Sequence, residues 1–454
     1  MSLLQHGRRR ASRLAHRYRR LVRQLWGALR ARPNVVIIGI DTLRADHLSC
    51  YGYDRPTSPQ LDRLAKDSLR FTQAFSTSSW TVPGWMSLFT GLSPSRHGLI
   101  QYPQPGRLSS TVPVLAQLLQ QHNYLTVGFH GGGHVSDRFG FGRGFDRYES
   151  RGTRFEDTLQ VCVQWLRQHR RWRFFLFWHG FNCHRPYDPP SDFDLFYPEY
   201  RGRYDVTKLY MQDGTLPEAE EDVRHVIAKY DGEIHYADFV ISQVLAELEQ
   251  LQLLEETILI VTSDHGEEFL EHGCFDHTRT LYDELMHVPL LVRLPRQWSS
   301  PSVKDELISL VDLTLLITAW LGLPFPDCDG TGLEVDQGRE YVFAVTGYQR
   351  KYLDETEGQP WQHKKDRPEL LRAIRTARWK LLLDRQDKPI ELYDLLRDPR
   401  EQWNLADMAD ETVQELLQTF HAVEEPAHML KLSLDEPDDV DEQVVERLQA
   451  LGYF

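Results

Sequence analysis

The sequence predicts an α/β fold in which a mostly parallel β-sheet is flanked by helices. Continuous apolar runs at residues 35–40, 174–178 and 257–262 are typical of strands that are buried on both faces of a parallel sheet. Amphipathic helical patterns lie between these runs, and such an alternation indicates an α/β domain. With 454 residues, of which 41% are hydrophobic and 26% charged, the chain is long enough to bury a large core and to form two or three domains.

The first 33 residues differ from the rest of the chain. They contain ten Arg and no acidic residue or Lys, so the net charge of −14 for the whole chain leaves −24 for the remainder. Apolar residues at helical spacing form one stripe in this segment, namely Leu14, Tyr18, Leu21, Val22, Leu25, Trp26 and Leu29. We predict a basic amphipathic helix over residues 1–33, which lies on an anionic membrane surface, docks on the acidic body or remains a disordered arm.

Composition also limits the partners and the compartment. The acidic body argues against a nucleic-acid-binding surface. The five Cys are scattered, odd in number and without metal-ligand spacing, which indicates reduced thiols in a cytosolic setting. No uninterrupted apolar run has the length of a signal-peptide core or of a membrane span. We expect a cytoplasmic protein, peripheral to a membrane if its N-terminal helix binds lipid, and the oligomeric state is left open.

The core begins with the strand at residues 35–40. This strand ends in Asp41, and the carboxyl end of a parallel strand is where open α/β sheets bind ligands. A helix follows, with Ser58 as its N-cap and Pro59 as its first residue. Residues 69–75 then alternate between apolar and polar, which predicts a half-buried strand.

The stretch SSWTVPGWMSLFTG, residues 78–91, is the centre of the predicted site. Its pattern indicates a turn containing Pro83 and Gly84, followed by a short apolar helix that stops at Gly91. A hydroxyl at the mouth of such a helix meets unpaired backbone N–H groups and the positive end of the helix dipole, which suits an anion and a nucleophile that attacks it. Thr81 is the candidate for that nucleophile, and a purely structural N-cap is the alternative.

The remaining segments complete the alternation and add a second sheet. Further helices are predicted at residues 111–121, 155–169 and about 218–251, and further strands at 124–129, 174–178 and 257–262. From about residue 340, strand-like segments without long helices between them predict a smaller antiparallel sheet, at residues 341–345, 373–383 and 391–395. The expected organisation is a catalytic domain at 34–335, an antiparallel subdomain at 336–407 and an acidic tail at 408–454.

Side chains suited to a metal ion follow three of the predicted strands. Asp41, Thr81 and the pair Asp264 and His265 all stand where a parallel sheet would gather them at one edge. Two carboxylates, a hydroxyl and an imidazole are a mixed oxygen and nitrogen set that suits one divalent cation. A metal bound to the Thr81 oxygen would lower the pKa of its hydroxyl and activate it as a nucleophile.

Six ordered segments between about residues 34 and 405 resemble the sulfatase family of the alkaline phosphatase superfamily. They are IDTLRADHLSCYGY at 40–53, TVPGWMSLFTG at 81–91, HRPYDPP at 184–190, YDGEIHYAD at 230–238, SDHGEEFLEHGCFDHTRTLYDE at 263–284 and ELYDLLRDPREQWNL at 391–405. The resemblance implies an alkaline-phosphatase-like sheet, with Thr81 at the position of the family's nucleophile. It also implies metal ligation by Asp41, Asp264 and His265.

The resemblance suggests in addition how a substrate is held. His184 lies in a segment similar to the loop that supplies an active-site His, and we assign it the protonation of the leaving group, which needs a proton donor at neutral pH. His277 lies where relatives place a substrate-binding Lys or His, so we assign it the substrate anion, with a core or helix-capping role as the alternative. His130, His179 and Arg279 are further candidates for substrate binding.

Departures from the family pattern bear on the chemistry. Sulfatases convert a signature Cys or Ser into formylglycine, which releases sulfate by elimination across a second hydroxyl, and Thr81 offers no such exit. Trp85 replaces the signature Arg, and Thr42 replaces a second acidic ligand of calcium-binding sulfatases. The implied ligand set is Asp41, Thr81, Asp264 and His265. The His nitrogen favours manganese or another transition metal, with calcium as the alternative.

These observations together predict a metal-dependent hydrolase or transferase. Its expected substrate is a small anionic phosphoester, and a phosphodiester in particular, attacked by Thr81. Two alternatives stay open: a sulfuric ester hydrolase that works without formylglycine, and a non-catalytic protein that keeps the fold for binding. Intact metal ligands at Asp41, Asp264 and His265 argue against the second alternative.

Overall fold

The computed structural model describes residues 32–206, 217, 219–298, 301–324, 327–331, 338–348 and 369–429. The predicted N-terminal helix at residues 1–33 lies outside this part of the chain except for its last two residues. The predicted acidic tail is described only as far as residue 429.

The large sheet has eight strands and is mostly parallel. The strands of the described residues are β1 (Asn34–Ile40), β2 (Leu69–Phe75), β3 (Gln101–Tyr102), β4 (Leu125–Phe129), β5 (Arg147–Glu149), β6 (Phe174–Gly180), β7 (Thr257–Thr262), β8 (Glu268–Phe269), β9 (Phe275–Asp276), β10 (Leu290–Arg293), β11 (Ser302–Ser309), β12 (Tyr341–Tyr348), β13 (Leu370–Thr376), β14 (Trp379–Leu383) and β15 (Pro389–Asp394). The order in the large sheet is β11-β2-β10-β7-β1-β6-β4-β5. Only β10 runs antiparallel to its neighbours, so the predicted α/β class with a mostly parallel sheet is confirmed.

The described residues form nine α-helices, several of which cover the two faces of this sheet. They are α1 (Pro59–Ala65), α2 (Thr81–Thr90), α3 (Pro94–His97), α4 (Leu115–Gln121), α5 (Phe155–His169), α6 (Glu220–Gln250), α7 (Asp283–Met286), α8 (Val311–Trp320) and α9 (Asp410–Met429). Val35 and Ile37 of β1 pack with α2, α4 and α8, while Val36 and Ile38 pack on the opposite face with α1, α5 and α6. Both faces of the strand are therefore apolar, as expected for a central parallel strand. Among the described helices, none has the length and apolar character that crossing a membrane requires.

The smaller sheet has the order β15-β14-β13-β12-β3. Strands β12 to β15 are antiparallel, as predicted, and α9 covers them with Val413, Leu416 and Phe420. The short strand β3 joins this sheet in parallel to β12, through the pair Tyr348 and Tyr102. A segment from the first quarter of the chain thus completes the C-terminal sheet. The domain limits at 335 and 407 stay a prediction.

Several predicted elements agree with the structure to the residue, and others differ for local reasons. Residues 69–75, 155–169 and 257–262 form the predicted elements. The helix predicted from residue 111 begins at Leu115, because a proline at 113 disfavours helical backbone at the residue before it. The strand predicted at 373–383 is two strands.

A local turn separates those two strands. Oγ1 of Thr376 accepts the backbone N–H groups of Arg378 (3.2 Å) and Trp379 (2.9 Å). This arrangement reverses the chain without Gly or Pro, so the sequence carries no strong turn signal there.

The stretch predicted as a turn before the short apolar helix is already helical. Pro83 and Gly84 lie in the first turn of α2. The backbone N–H that Pro83 lacks would have no partner within the helix, so proline is tolerated at this position. The helix ends before Gly91, which takes a left-handed conformation with φ of 68°. The predicted stop is therefore confirmed. All five Cys are free thiols, as predicted.

Candidate active site

Two adjacent strands, β1 and β7, bring three of the four predicted ligands to one edge of the large sheet. β7, β1 and β6 are parallel neighbours, so their carboxyl ends lie side by side. Asp41 follows β1, and Asp264 and His265 follow β7. Thr81 comes from the helix layer as the first residue of α2. The structure brings these four side chains together, and all four are buried.

Asp41, Asp264 and His265 form a group that could hold a metal ion. One ligand atom from each of the three residues lies within 4.8 Å of the others. Asp41 Oδ1 and Asp264 Oδ2 are buried and have no hydrogen-bond partner within the described part of the chain. Unpaired buried carboxylate oxygens cost free energy, and a cation between them removes that cost. These residues therefore fit a divalent cation.

The pKa shifts of the three groups reflect two buried carboxylates that repel each other, and a cation between them would relieve that repulsion. Burial alone would raise the pKa of Asp41, but the hydrogen bond with His179 and the neighbouring His265 bring it down to about 2. Burial and the charge of Asp41 raise the pKa of Asp264 well above its usual range. Burial, assisted by the charge of His277, lowers the pKa of His265 to about 3, so its imidazole is neutral and able to ligate.

Thr81 lies at the N-terminus of α2 beside the metal ligands. Its Oγ1 is 3.5 Å from Nε2 of His265. The N-cap of the helix is Trp80, whose backbone is extended, so Thr81 is not the structural N-cap considered as an alternative. The hydroxyl therefore stands at a helix mouth where an anion would meet backbone N–H groups.

Close backbone contact explains the glycine in the first turn of α2. A Cβ atom at Gly84 would lie 2.7 Å from the carbonyl oxygen of Asp264. A side chain there would push α2 away from the segment after β7 that carries Asp264 and His265, which we call the metal loop. The hydroxyl of Ser76 adds a second link, since it lies within hydrogen-bond distance of the carbonyls of Ser78 and Asp264. These contacts hold the nucleophile candidate and the metal ligands in one unit.

His179 and His130 lie on the β6 side of the site. His179 Nε2 is 3.2 Å from Asp41 Oδ2, and its Nδ1 accepts the N–H of Gly131 at 3.5 Å. His130 stacks on Tyr148 with ring centroids 4.0 Å apart. His179 thus contacts a metal ligand directly, while the substrate-binding role predicted for both residues stays a prediction.

His277 carries a positive charge in the middle of the site. Its Nδ1 lies 3.0 Å from Glu267 Oε1 and 2.9 Å from Asp276 Oδ1. Burial alone would lower the pKa of His277, but these two carboxylates raise it to about 10. The ring lies 4.5 Å from that of His265 and 5.0 Å from that of His184, measured between centroids. A fixed cation in this place can hold a substrate anion as a Lys would.

His184 is oriented by the backbone carbonyl of the residue that follows it. Its Nδ1 lies 2.6 Å from the carbonyl oxygen of Arg185. Because a carbonyl only accepts, Nδ1 carries the hydrogen and Nε2 is the atom that exchanges a proton. Burial and the charge of His277 lower the pKa of His184. An anionic substrate offsets the charge of His277 and thereby favours the protonated form.

Two further residues belong to the site and were missed by sequence reasoning. Glu267 orients His277 and also accepts the hydroxyl of Tyr187 at 2.8 Å. Its place in the run SDHGEE was the available signal. His134 lies in edge-to-face contact with Trp80, with ring centroids 5.6 Å apart. No pattern indicates this contact, because it depends on the conformation of the Gly-rich loop at residues 130–134.

Arg279 is supported by the smaller sheet. Its Cζ lies 4.3 Å from the centroid of the Tyr348 ring, at the end of β12. Tyr348 in turn stacks on Tyr102 of β3, with centroids 5.1 Å apart and an interplanar angle of 26°. The predicted substrate-binding Arg is thus held by an aromatic pair that only the tertiary structure assembles.

Trp85 occupies the position of the signature Arg and is fully buried. Its ring makes edge-to-face contacts with Phe177 and His179, each with centroids 5.5 Å apart. A Cβ atom at Gly39 would lie 2.5 Å from Cη2 of Trp85. The indole therefore fills the space above β1, directly behind the metal ligands.

Comparisons with known proteins agree with this fold and site. A family model described as Sulfatase matches residues 33–323. The chain belongs to the sulfatase family. A second model, described as N-sulphoglucosamine sulphohydrolase, C-terminal, matches residues 270–425 of this sulfatase-family chain. The resemblance found in the six sequence segments is thus confirmed.

Proteins similar to this sulfatase-family chain include sulfatases and a phosphonate monoester hydrolase. Human iduronate 2-sulfatase is 25% identical over 350 residues, which cover 62% of this chain and 63% of that protein. Human arylsulfatase A is 26% identical over 507 residues, covering 89% and 88%. The solved structure of a phosphonate monoester hydrolase from Agrobacterium radiobacter shares the fold, with a TM-score of 0.67 at 19% identity, covering 87% and 96%.

These relatives indicate an ester hydrolase. Enzymes of the sulfatase family bind a divalent metal ion, and Asp41, Asp264 and His265 are one of the groups in the described residues that could hold one. The match to iduronate 2-sulfatase spans less than two thirds of that protein.

Proposed function

We propose that this chain is a metal-dependent hydrolase or transferase of phosphoesters, and of phosphodiesters in particular, with Thr81 as its nucleophile. The position of the Thr81 hydroxyl carries the proposal. It is buried at the N-terminus of α2, with Oγ1 3.5 Å from Nε2 of His265. An anion bound there has helix N–H groups on one side and the metal ligands on the other.

Asp41, Thr81, Asp264 and His265 would hold the metal ion. When bound, a divalent cation supplies Lewis-acid stabilisation of the negative charge that develops on the reacting oxygens. The imidazole nitrogen favours manganese or another transition metal over calcium, which prefers oxygen ligands.

Thr81, His277 and His184 have separate roles in the proposed reaction. Oγ1 of Thr81, reacting as an alkoxide, forms a bond to phosphorus while the bond to the alcohol portion of the substrate breaks. The cationic His277 attracts a non-bridging oxygen of the phosphoryl group, and Nε2 of His184 gives its proton to the departing alcohol oxygen. Water, or a second alcohol in a transfer reaction, then attacks the phosphothreonine and gives its proton to His184.

The nature of the nucleophile favours phosphorus over sulfur. Formylglycine expels sulfate by elimination across its second hydroxyl, and an ester of Thr81 has only one oxygen on its side chain. Phosphothreonine, in contrast, is hydrolysed by attack at phosphorus. Hydrolysis of sulfuric esters is the second candidate, and it is favoured by the relatives named iduronate 2-sulfatase and arylsulfatase A.

Parallel assays with an aryl phosphodiester and an aryl sulfate test the proposal. We expect phosphodiester hydrolysis that is lost when a chelator removes the metal and restored by Mn²⁺. Robust sulfate hydrolysis with little phosphodiester hydrolysis, by protein whose residue 81 is unmodified Thr by mass spectrometry, would overturn the assignment to phosphorus. Inactivity of metal-loaded protein on both substrates would support the non-catalytic alternative.

A further inference from the structure

Two arginines belong to the loops that carry His184 and His277. Arg185 directly follows His184, and Arg279 lies two residues beyond His277. Nη2 of Arg185 lies 3.3 Å from Oδ2 of Asp276, the residue directly before His277. Both arginines are therefore attached to the same loop, at residues 276–279.

Arg279 is held in one orientation by an aromatic stack. Its guanidinium lies on Tyr348 at 4.3 Å, Tyr348 lies on Tyr102 at 5.1 Å, and Trp80 meets Tyr102 edge-on at 5.4 Å. A guanidinium stacked on a ring keeps its fork of N–H donors at the edge of the stack. Because its freedom is already restricted, Arg279 loses little entropy when it binds an anion.

Arg185 has hydrogen-bonding capacity left over. Its Nη2 lies 3.3 Å from Oδ2 of Asp276, while its Nε is buried and has no partner in the described residues. Burial works against the charged form, but Asp276 and other acidic groups raise the pKa, so the guanidinium stays charged. An unpaired buried donor costs free energy that a bound anion recovers.

The place of both arginines indicates which part of a substrate they meet. His184 is the proton donor to the alcohol oxygen in the proposed function, and Arg185 adjoins it in the chain. Arg279 Cα is at most about 7 Å from His277 Cα, because two residues of extended chain span no more. We propose that Arg185 and Arg279 bind a second anionic group, on the alcohol portion of the substrate about one ring's width from the reacting phosphorus.

The charge of the rest of the protein strengthens this selectivity. Residues 34–454 carry a formal charge of −24, so most of the chain repels an anion. Arg185, Arg279 and the cationic His277 form a local group of positive side chains, of which Arg185 and His277 both contact Asp276. The proposal rests on the proposed function, which places the alcohol portion of the substrate at His184. It narrows the expected substrates to esters whose alcohol carries its own negative charge, such as a carboxylate.

Calorimetry with inert ligands tests the proposal without turnover. The probes are phenylphosphonate, carboxyphenylphosphonate and the uncharged carboxamide of the same size, all with a P–C bond that resists hydrolysis. On intact, Mn²⁺-loaded protein we expect the carboxylate to bind about tenfold more tightly than the other two. Arg185→Gln and Arg279→Gln should each reduce this preference, and the double variant should abolish it.

Variants of the aromatic support provide the matched control. Tyr348→Leu should weaken the preference because Arg279 loses its stacking partner, whereas Tyr348→Phe keeps the ring and should retain it. Equal affinity for the three ligands, absence of measurable binding, or a preference that survives in the double variant would overturn the proposal. A failed proposed function shows instead in the turnover assays on phosphodiesters and sulfates, which are independent of this affinity ratio.

Discussion

The hydroxyl of Thr81 combines three conditions that favour attack on an anionic ester. It is buried, it stands at the N-terminus of α2, and it lies beside a metal-ligand candidate, His265. Helix N–H groups and a cation stabilise the transition state more than the ground state, because negative charge increases on the oxygens around the reacting atom.

Substitution of this residue gives a direct prediction. Thr81→Ala should lower turnover by about a thousandfold or more, since the bond-forming oxygen is lost. Thr81→Ser should keep measurable turnover, because the hydroxyl survives and only the stiffness of the β-branched side chain is lost. Steady-state kinetics on variants with unchanged circular dichroism measure both effects. Phosphate trapped on Thr81 of the intact protein would identify the covalent intermediate, and full turnover by Thr81→Ala would exclude it.

His184 offers a prediction that depends on the substrate. His184→Ala should slow esters of alkyl alcohols by about 10²–10⁴-fold, because their alkoxides need a proton to depart. Nitrophenyl esters should be affected much less, since nitrophenolate departs without one. The ratio of kcat/KM for the two substrates is the measurement. An equal loss on both would assign His184 to binding or structure.

Single residues also show how far the sequence predicts this site. Asp41, Asp264 and His265 could be predicted, because carboxyl ends of neighbouring parallel strands must meet. The pairing of His277 with Glu267 could not. It depends on a loop in which Asp276 and Thr278 adopt positive φ values of 80° and 87°, and a β-branched residue such as Thr278 gives no sign of that conformation in the sequence.

The metal loop after β7 is the element that joins sheet and helix layers. Asp264→Asn should lower metal occupancy and remove activity, because one carboxylate charge of the ligand pair is lost. Metal analysis of the purified protein checks occupancy, and activity assays check function. Asp67→Asn is a matched control, since this carboxylate is exposed on the turn after α1. Full activity of a metal-free preparation would refute the metal requirement.

His272 joins the loop between β8 and β9 to α7 and to the segment after β15. His272 Nδ1 lies 2.6 Å from Oε1 of Glu284, and its Nε2 lies 3.1 Å from the carbonyl of Glu401. Burial opposes the charged form, but the Glu284 carboxylate outweighs it and raises the pKa of His272 to about 9. The protonated imidazole therefore links α7 to the segment after β15.

The pH dependence of stability follows from this shift. Because the pKa is higher in the folded than in the unfolded state, the stabilisation is complete below about pH 6.5 and is lost as pH rises through about 9. We expect it to be on the order of 2 kcal/mol. Urea unfolding at pH 6 and at pH 9.5, for the unaltered chain and for His272→Gln, measures it. An identical pH dependence in the two proteins would contradict the assignment.

At the scale of the whole molecule, the candidate active site and the point where the chain enters β1 lie at opposite ends of that strand. The chain enters β1 at Asn34 and reaches Asp41 seven residues later, about 23 Å away along the strand. Residues 1–31 therefore join the rest of the chain at the end of β1 that is remote from the candidate active site.

The overall architecture was predictable from the sequence because it follows from the buried strands. The completion of the C-terminal sheet by β3 was not, because it pairs residues that are too distant in sequence to be recognised.

The N-terminal segment leads to a prediction about location. We propose that residues 1–33 bind anionic lipid, because they carry ten Arg and an apolar stripe. Full-length protein should sediment with vesicles that contain an anionic lipid, and added salt should release it. Deletion of the segment should abolish sedimentation without altering turnover, because none of the proposed catalytic residues belongs to it. Equal binding by the shortened protein would refute the proposal.

The packing of Trp85 above Gly39 restricts the evolutionary routes that lead to this site. An indole at position 85 is incompatible with any side chain at position 39, since even a methyl group would lie 2.5 Å from the ring. A larger residue at position 39 should therefore be tolerated only together with a smaller one at position 85, so these two positions can change only in step.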